Sequence, residues 1–175
     1  MFRNVLLGLD FSPSADHALT EAVELAERHG GRLTILTAIP EVRGWGGGPV
    51  ETVTAAQDLN AQLEREAFAL QQRALERVPD CLPVSTVIRR ASPRTALLEA
   101  LRGGCFDTVV IGASTCRRRL RLTRSLTRHL IAHAGVPVLV AEAGVPPRLH
   151  LPQGAADASP PPASPPTPAP RSAST

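Results

Sequence analysis

The chain has 175 residues, a formal net charge of +3, three cysteines and no tyrosine, and all of its cationic side chains are Arg or His, with no Lys. Without lysine there is no Walker A phosphate lysine, no Schiff base and no lysine general base, and without tyrosine its proton-transfer chemistry is also excluded. No stretch approaches the ~18 apolar residues of a membrane span. Residues 2–10 form one short apolar run with no cleavage pattern, so neither a signal peptide nor a membrane partner is expected. Cys81, Cys105 and Cys116 are widely spaced and form no C-x-x-C pair. That spacing argues against a disulfide framework and against zinc, and points to the cytoplasm.

The first element, "NVLLGLD" (4–10), is a continuous apolar run ending in an acid. It reads as a strand covered on both faces. A helix follows in "SPSADHALTEAVELAERHGG", with Ser12 as cap, Pro13 at its first position and Ala15, Leu19, Ala22, Val23 and Ala26 as one stripe. Gly30 and Gly31 end it. A second strand covers 32–39. Residues 40–50, with "GWGGGP" inside, read as a loop, where Trp45 offers a lid over a ligand. A long helix over 52–78 places Leu59, Leu63, Ala67, Leu70 and Ala74 inward. A third strand covers 83–89. Ser92 and Pro93 open a third helix that stops at Gly103 and Gly104. A fourth strand covers 106–112. A fourth helix covers 123–134, with Leu126, Leu130, Ile131 and Ala134 inward, and "VPVLVAE" (136–142) is the fifth strand.

From Pro146 the composition changes: ten of the last 30 residues are proline. Such a segment has little to bury and cannot offset its ordering entropy. The chain therefore divides into a folded unit, residues 1–144, and a disordered tail rich in Pro, Ala and Ser, residues 145–175. The alternation of strand and helix gives an α/β fold: one doubly wound, five-stranded parallel sheet flanked by four helices. Ligands on such sheets bind beyond the carboxyl ends of the strands. The positions to watch are Asp10, Ala38, Arg89, Arg90 and Gly112 onward.

Charge is unevenly spread. Residues 1–107 carry 11 Arg against 14 acids, whereas residues 108–141 carry six Arg and no acid. Arg117, Arg118, Arg119, Arg121, Arg124 and Arg128 form a basic patch that favours phosphates, nucleotides or an acidic protein partner. A solvated helix face explains the same run. Nucleic acid is disfavoured, because aromatic residues for base stacking are few. Cys116, beside three arginines, is a candidate redox thiol. His129 and His133 stand at i, i+4 without a third ligand, so no metal is expected, and His133 reads as a partly buried helix residue.

The first strand–helix turn, "LDFSPS", lacks the G-x-G-x-x-G of a dinucleotide fold. It also lacks the acid cluster of a receiver domain and the S-G-G-x-D-S of an ATP pyrophosphatase. The stretches "VLLGLDFSPSADHAL", "LTILTAI", "DTVVIGAS" and "RSLTRHLIAHAGVPVLVAE" together resemble the universal stress protein (UspA) family over about residues 2–143. The resemblance implies an adenine-nucleotide alpha-hydrolase-like fold and a cytoplasmic stress-response module, not an enzyme. No catalytic residues and no required cofactor are expected, with ATP or AMP as ligand. Nucleotide-binding members carry G-x-x-G, a spacer, and then G-S or G-T after the fourth strand. Position by position, Asp10, Ala38, Gly112 and Ser125 match this pattern, and Leu126 follows it. Thr115 and Arg124 stand where glycines are expected, and the spacer is one residue short. Arginine is a strong bidentate phosphate ligand, so its side chains offer the charge that glycine backbones do not. Three functions stay open: nucleotide-binding regulator, family member acting through protein contacts alone, and weak ATP hydrolase. Family members commonly pair through their last strands, and residues 136–142 are apolar up to Glu142. A homodimer through that strand is expected.

Overall fold

The computed structural model describes residues 2–42, 50–113, 120–142 and 145–152. Its elements in chain order are β1 (Asn4–Gly8), α1 (Ala15–Arg28), β2 (Arg32–Ile39), α2 (Val50–Leu75), β3 (Val84–Arg90), α3 (Pro93–Gly103), β4 (Thr108–Gly112), α4 (Leu120–His133), β5 (Val138–Glu142) and β6 (Val145–His150). They build one sheet in the order β3-β2-β1-β4-β5-β6. The first five strands run parallel, and β6 lies antiparallel on β5.

The central strands are apolar on both faces because helices cover both. Val5, Leu7, Leu33, Ile35 and Val110 pack with α1 and the end of α2 in one cluster. Leu6, Leu36, Val109, Ile111 and Val138 pack with α3 and α4 in the other. At the amino ends of the strands, the Asp107 carboxylate accepts hydrogen bonds from the Arg3 and Asn4 backbone N–H groups, both at 2.8 Å. This acid pins the entry of β1 and lies away from the carboxyl-end surface.

The α3 start follows the sequence: the Ser92 hydroxyl accepts from the Thr95 N–H at 3.2 Å, and Pro93 opens the helix. The start of α1 does not. Ser14, not Ser12, precedes the helix, and it makes no side-chain cap bond; its hydroxyl pairs with that of Ser12, which is held in turn by Asp10. Gly30 adopts φ +57° just past α1, a left-handed stop that glycine takes without strain.

The inner face of α2 also differs from its apolar stripe. Leu59 is exposed, whereas Ala56, Ala67, Gln71 and Ala74 are buried. Two polar residues share that face because each ties backbone. The Gln71 amide donates to the Val87 carbonyl at 2.9 Å and to the Thr37 hydroxyl at 3.3 Å. Asn60 accepts from Val42 N–H at 2.9 Å and donates to the Val42 carbonyl at 2.7 Å.

The sixth strand corrects the expected five-stranded sheet and a tail disordered from residue 145. β6 pairs Val138 with His150, Leu139 with Leu149, Val140 with Arg148 and Glu142 with Val145. Between the last two pairs β6 advances three residues against two on β5. The extra residue makes a bulge at Pro146 and Pro147, where missing N–H groups do least harm to a ladder. Consequently β5 is not the sheet edge, and the expected bare strand at 136–142 is covered by the chain itself. Residues 153–175 lie outside the described residues.

Candidate functional site

In a doubly wound sheet the strand order reverses where consecutive crossovers diverge, and here that point lies between β1 and β4. A crevice beyond the carboxyl ends of the strands at such a point is the general ligand position of these folds. The register sets Gly8 opposite Leu36 of β2 and Ile111 of β4. Asp10 and Ala38 therefore stand two residues beyond the same level, with Gly112 closing β4 beside them. Three of the residues expected from the sequence come together on one rim.

The Asp10 carboxylate is organised locally. Its Oδ1 accepts from the Ser12 backbone N–H at 3.0 Å and also from the Ser12 hydroxyl, the geometry of an Asx turn. The Ser12 and Ser14 hydroxyls lie 2.9 Å apart, and both serines are buried. The chain Asp10–Ser12–Ser14 thus fixes the β1–α1 turn and leaves Asp10 itself exposed.

Gly112 meets this chain from the β4 side. A Cβ placed there would sit 2.7 Å from the Ser14 hydroxyl and 2.9 Å from the Ser14 carbonyl oxygen. Gly112 does not adopt a positive φ. Glycine is needed at this position for close approach, not for backbone freedom. Ala38 is partly buried and packs on the cluster beneath α3. Leu126 packs on the same cluster from α4.

Thr115, Arg117, Arg118 and Arg119 lie outside the described residues, as do Cys116 and Trp45, and so do the side chains of Arg121, Arg124 and Ser125. The helical segment Leu120–His133 contains Arg121, Arg124 and Arg128 and no acid. Arg90 is engaged elsewhere: its guanidinium bonds Glu64 of α2, with Nε 2.9 Å and an Nη 2.7 Å from the carboxylate. Arg89 instead lines a groove of about 390 Å³ with Leu36, Val87, Glu99 and Phe106, over the β2–β3 part of the sheet. That groove lies beside α3 and reaches Leu6 of β1, and Arg89 is the register partner of Ala38. Among the described residues no group of three or more His, Cys, Asp or Glu is placed to hold a metal ion, and no helix is long and apolar enough to cross a membrane.

His129 and His133 stack, with ring centroids 4.2 Å apart and 26° between planes. A carbonyl oxygen only accepts, so the His133 Nδ1–H donates to the His129 carbonyl at 2.9 Å. His133 is exposed, not partly buried as its place in the sequence suggests. His129 titrates below its ordinary value, first through desolvation and then through Arg94, His133 and Arg102. A lowered native pKa means that the unfolded chain binds a proton the native chain refuses. Stability is therefore expected to fall as pH drops below the unfolded histidine value of about 6.5. Urea midpoints at about pH 7.5 and 5.5, either side of that value, check this, and His129→Gln is expected to reduce the difference between them.

A family model described as the universal stress protein family matches residues 1–142. The chain belongs to the universal stress protein family. A relative from Thermus aquaticus, "Universal stress protein in QAH/OAS sulfhydrylase 3'region", is 30% identical over 146 residues, spanning 80% of this chain and 98% of that protein. Among solved structures, universal stress protein UspA from Lactobacillus plantarum aligns at TM-score 0.65 and 25% identity, over 80% of this chain and 97% of its own. A universal stress protein solved in complex with cAMP aligns at TM-score 0.54 and 20% identity, over 80% of this chain and 97% of that one. The family match ends at Glu142, three residues before β6 begins.

Proposed function

We propose that this universal stress protein is a small cytoplasmic regulatory module that takes an adenine nucleotide, ATP or AMP, at the crevice between β1 and β4. The observation that carries the reading is the meeting of Asp10, Ala38 and Gly112 at the switch point, above a serine clamp that preorganises Asp10. Asp10 is placed to accept from ribose or adenine donors, and Ala38 leaves space for the base. The phosphates then run toward residues 114–125, where Arg117, Arg118, Arg119, Arg121 and Arg124 supply charge and Thr115 and Ser125 supply hydroxyls. A relative solved with cAMP supports the ligand class. The role is binding, not turnover. The described hydroxyls at the crevice, Ser12 and Ser14, are occupied with each other and with Asp10. A homodimer through residues 136–142 belongs to the same reading, on condition that β6 leaves β5.

One observation favours a second reading, in which the protein works through protein contacts without nucleotide: Ser14 alone accounts for glycine at position 112. Calorimetry with ATP, AMP and cyclic AMP separates the two. The nucleotide reading expects saturable heat that weakens at least tenfold in Asp10→Ala and with two arginines of 117–124 changed to Gln. No heat at millimolar ligand leaves the second reading standing.

A further inference from the structure

The seam between α3 and α4 gathers charges of one sign. Arg94, Leu98 and Arg102 stand four residues apart along one face of α3, and Leu126, His129, Leu130 and His133 share one face of α4. Leu98 and Leu130 are buried in the same cluster, so the two faces meet there. Arg94 and Arg102 flank the contact from α3, and His129 and His133 flank it from α4. His129 is half-buried, whereas Arg94, Arg102 and His133 are exposed. The two histidine rings stack with centroids 4.2 Å apart. The bond from His133 Nδ1 to the His129 carbonyl leaves Nε2 as the remaining polar atom of that ring.

The helices bring no acid to this seam. α4 has none, and Glu99, the one acid of α3, lines the groove over β2 and β3 instead. The strands beneath contribute Leu6, Val109, Ile111 and Val138, all apolar. Arg128, next to His129 in the chain, adds a further exposed cation. Helix dipoles account for part of this pattern. Arg102 and His133 lie in the last turns of their helices, where a cation is favoured. Arg94 lies in the first turn of α3, where a cation is disfavoured. Partial burial first, and then Arg94, His133 and Arg102, hold the proton off the His129 ring. Every charged group in that set is basic. Like charges held this close repel, and a bound anion turns the repulsion into attraction.

We propose that the α3–α4 seam is an anion site, outside the crevice between β1 and β4, that takes a phosphoryl group carrying two or more negative charges. Arg94 and Arg102 supply guanidinium donors from one helix, and His129 and His133 supply imidazoles from the other. Arginine is the side chain best matched to phosphate oxygens. Eight residues separate the two arginines, about 12 Å along the helix. That length suits linked phosphates, such as a diphosphate, better than a single carboxylate. Binding draws a proton onto His129, because the anion reverses the field that the arginines set up.

Histidine side-chain and amide NMR of the full chain tests this. The probe is sodium pyrophosphate, and the control is sodium chloride at equal ionic strength, because screening alone weakens the repulsion on His129. Pyrophosphate is expected to raise the proton affinity of His129 about tenfold over the chloride control, one logarithmic unit of its titration midpoint. It should also shift the Arg102 and His133 amides to saturation. In the double variant Arg94→Gln, Arg102→Gln, His129 is expected to hold its proton more tightly without any anion, and the response to pyrophosphate should disappear. An equal response to the two salts overturns the proposal and leaves a solvated basic face. A pyrophosphate response confined to Ser12 and Gly112 at the crevice, or one that persists in the double variant, also overturns it. So do shifts at the seam with a single-stranded oligonucleotide and none with pyrophosphate, which would make nucleic acid the occupant. Should the double variant fail to fold, the comparison of the two salts on the native chain decides alone.

Discussion

Leu130→Ala is expected to lower the unfolding free energy by about 2–5 kcal/mol, the range for truncating a buried leucine. Leu130 is fully buried. Among the described side chains of α4 it is the one that enters the cluster of Leu6, Val109, Ile111 and Val138 outright, while Leu126 and Ile131 are only partly buried beside it. The substitution removes its share of apolar burial and leaves a cavity between helix and sheet that the parallel strands cannot collapse to fill. Against a typical total of about 5–15 kcal/mol this is a large fraction. In a domain of this size each kcal/mol moves the melting midpoint by roughly 2–4 °C. Thermal unfolding checks it. Ile131→Ala, at a partly buried position, is expected to shift the midpoint less, and equal shifts would contradict the placement of Leu130 at the centre of the contact.

Gly112→Val is expected to destabilise the chain by about 1–3 kcal/mol, the usual penalty for overpacking. Even a methyl group at this position meets the Ser14 hydroxyl at 2.7 Å and the Ser14 carbonyl at 2.9 Å. The carbonyl is backbone and cannot rotate away, so either the end of β4 or the start of α1 must move. Both border the crevice, and the displacement passes to Asp10 through Ser12. Gly103→Ala provides the contrast, because nothing lies within 4 Å of a Cβ there. It is expected to be neutral or slightly stabilising. Equal denaturation midpoints for Gly112→Val and the native chain would show that the close approach of Ser14 is not a constraint.

The strands were legible because burial on both faces leaves a plain record: "NVLLG" and "TVVIG" have almost no polar residues to hide. Capping was legible where side chain and proline agreed, as at Ser92 and Pro93. It failed at Ser12, whose hydroxyl serves Asp10, a competition that spacing alone does not reveal. The inner face of α2 was misjudged at Leu59 because apolar counting passes over Asn60 and Gln71, which face inward to satisfy backbone groups. β6 was hidden by its composition. Two prolines in six residues read as tail, yet a bulge at the sheet edge is where a strand tolerates them. The available signal was the two-residue separation of Glu142 from Val145, the length of a tight hairpin. The positions of Asp10, Ala38 and Gly112 at the carboxyl ends of β1, β2 and β4 were legible in the sequence. The packing reason for Gly112 was not, since it depends on a residue 98 positions earlier in the chain.

The nucleotide reading is tested most directly by amide chemical-shift mapping of the native protein with AMP and ATP. The largest perturbations are expected at Asp10, Ser12, Ala38 and Gly112, on the rim between β1 and β4, and they should saturate with ligand and vanish in Asp10→Ala. Shifts confined to Glu99, Gly103 and Phe106 along the α3 groove, or none at millimolar nucleotide, would contradict it.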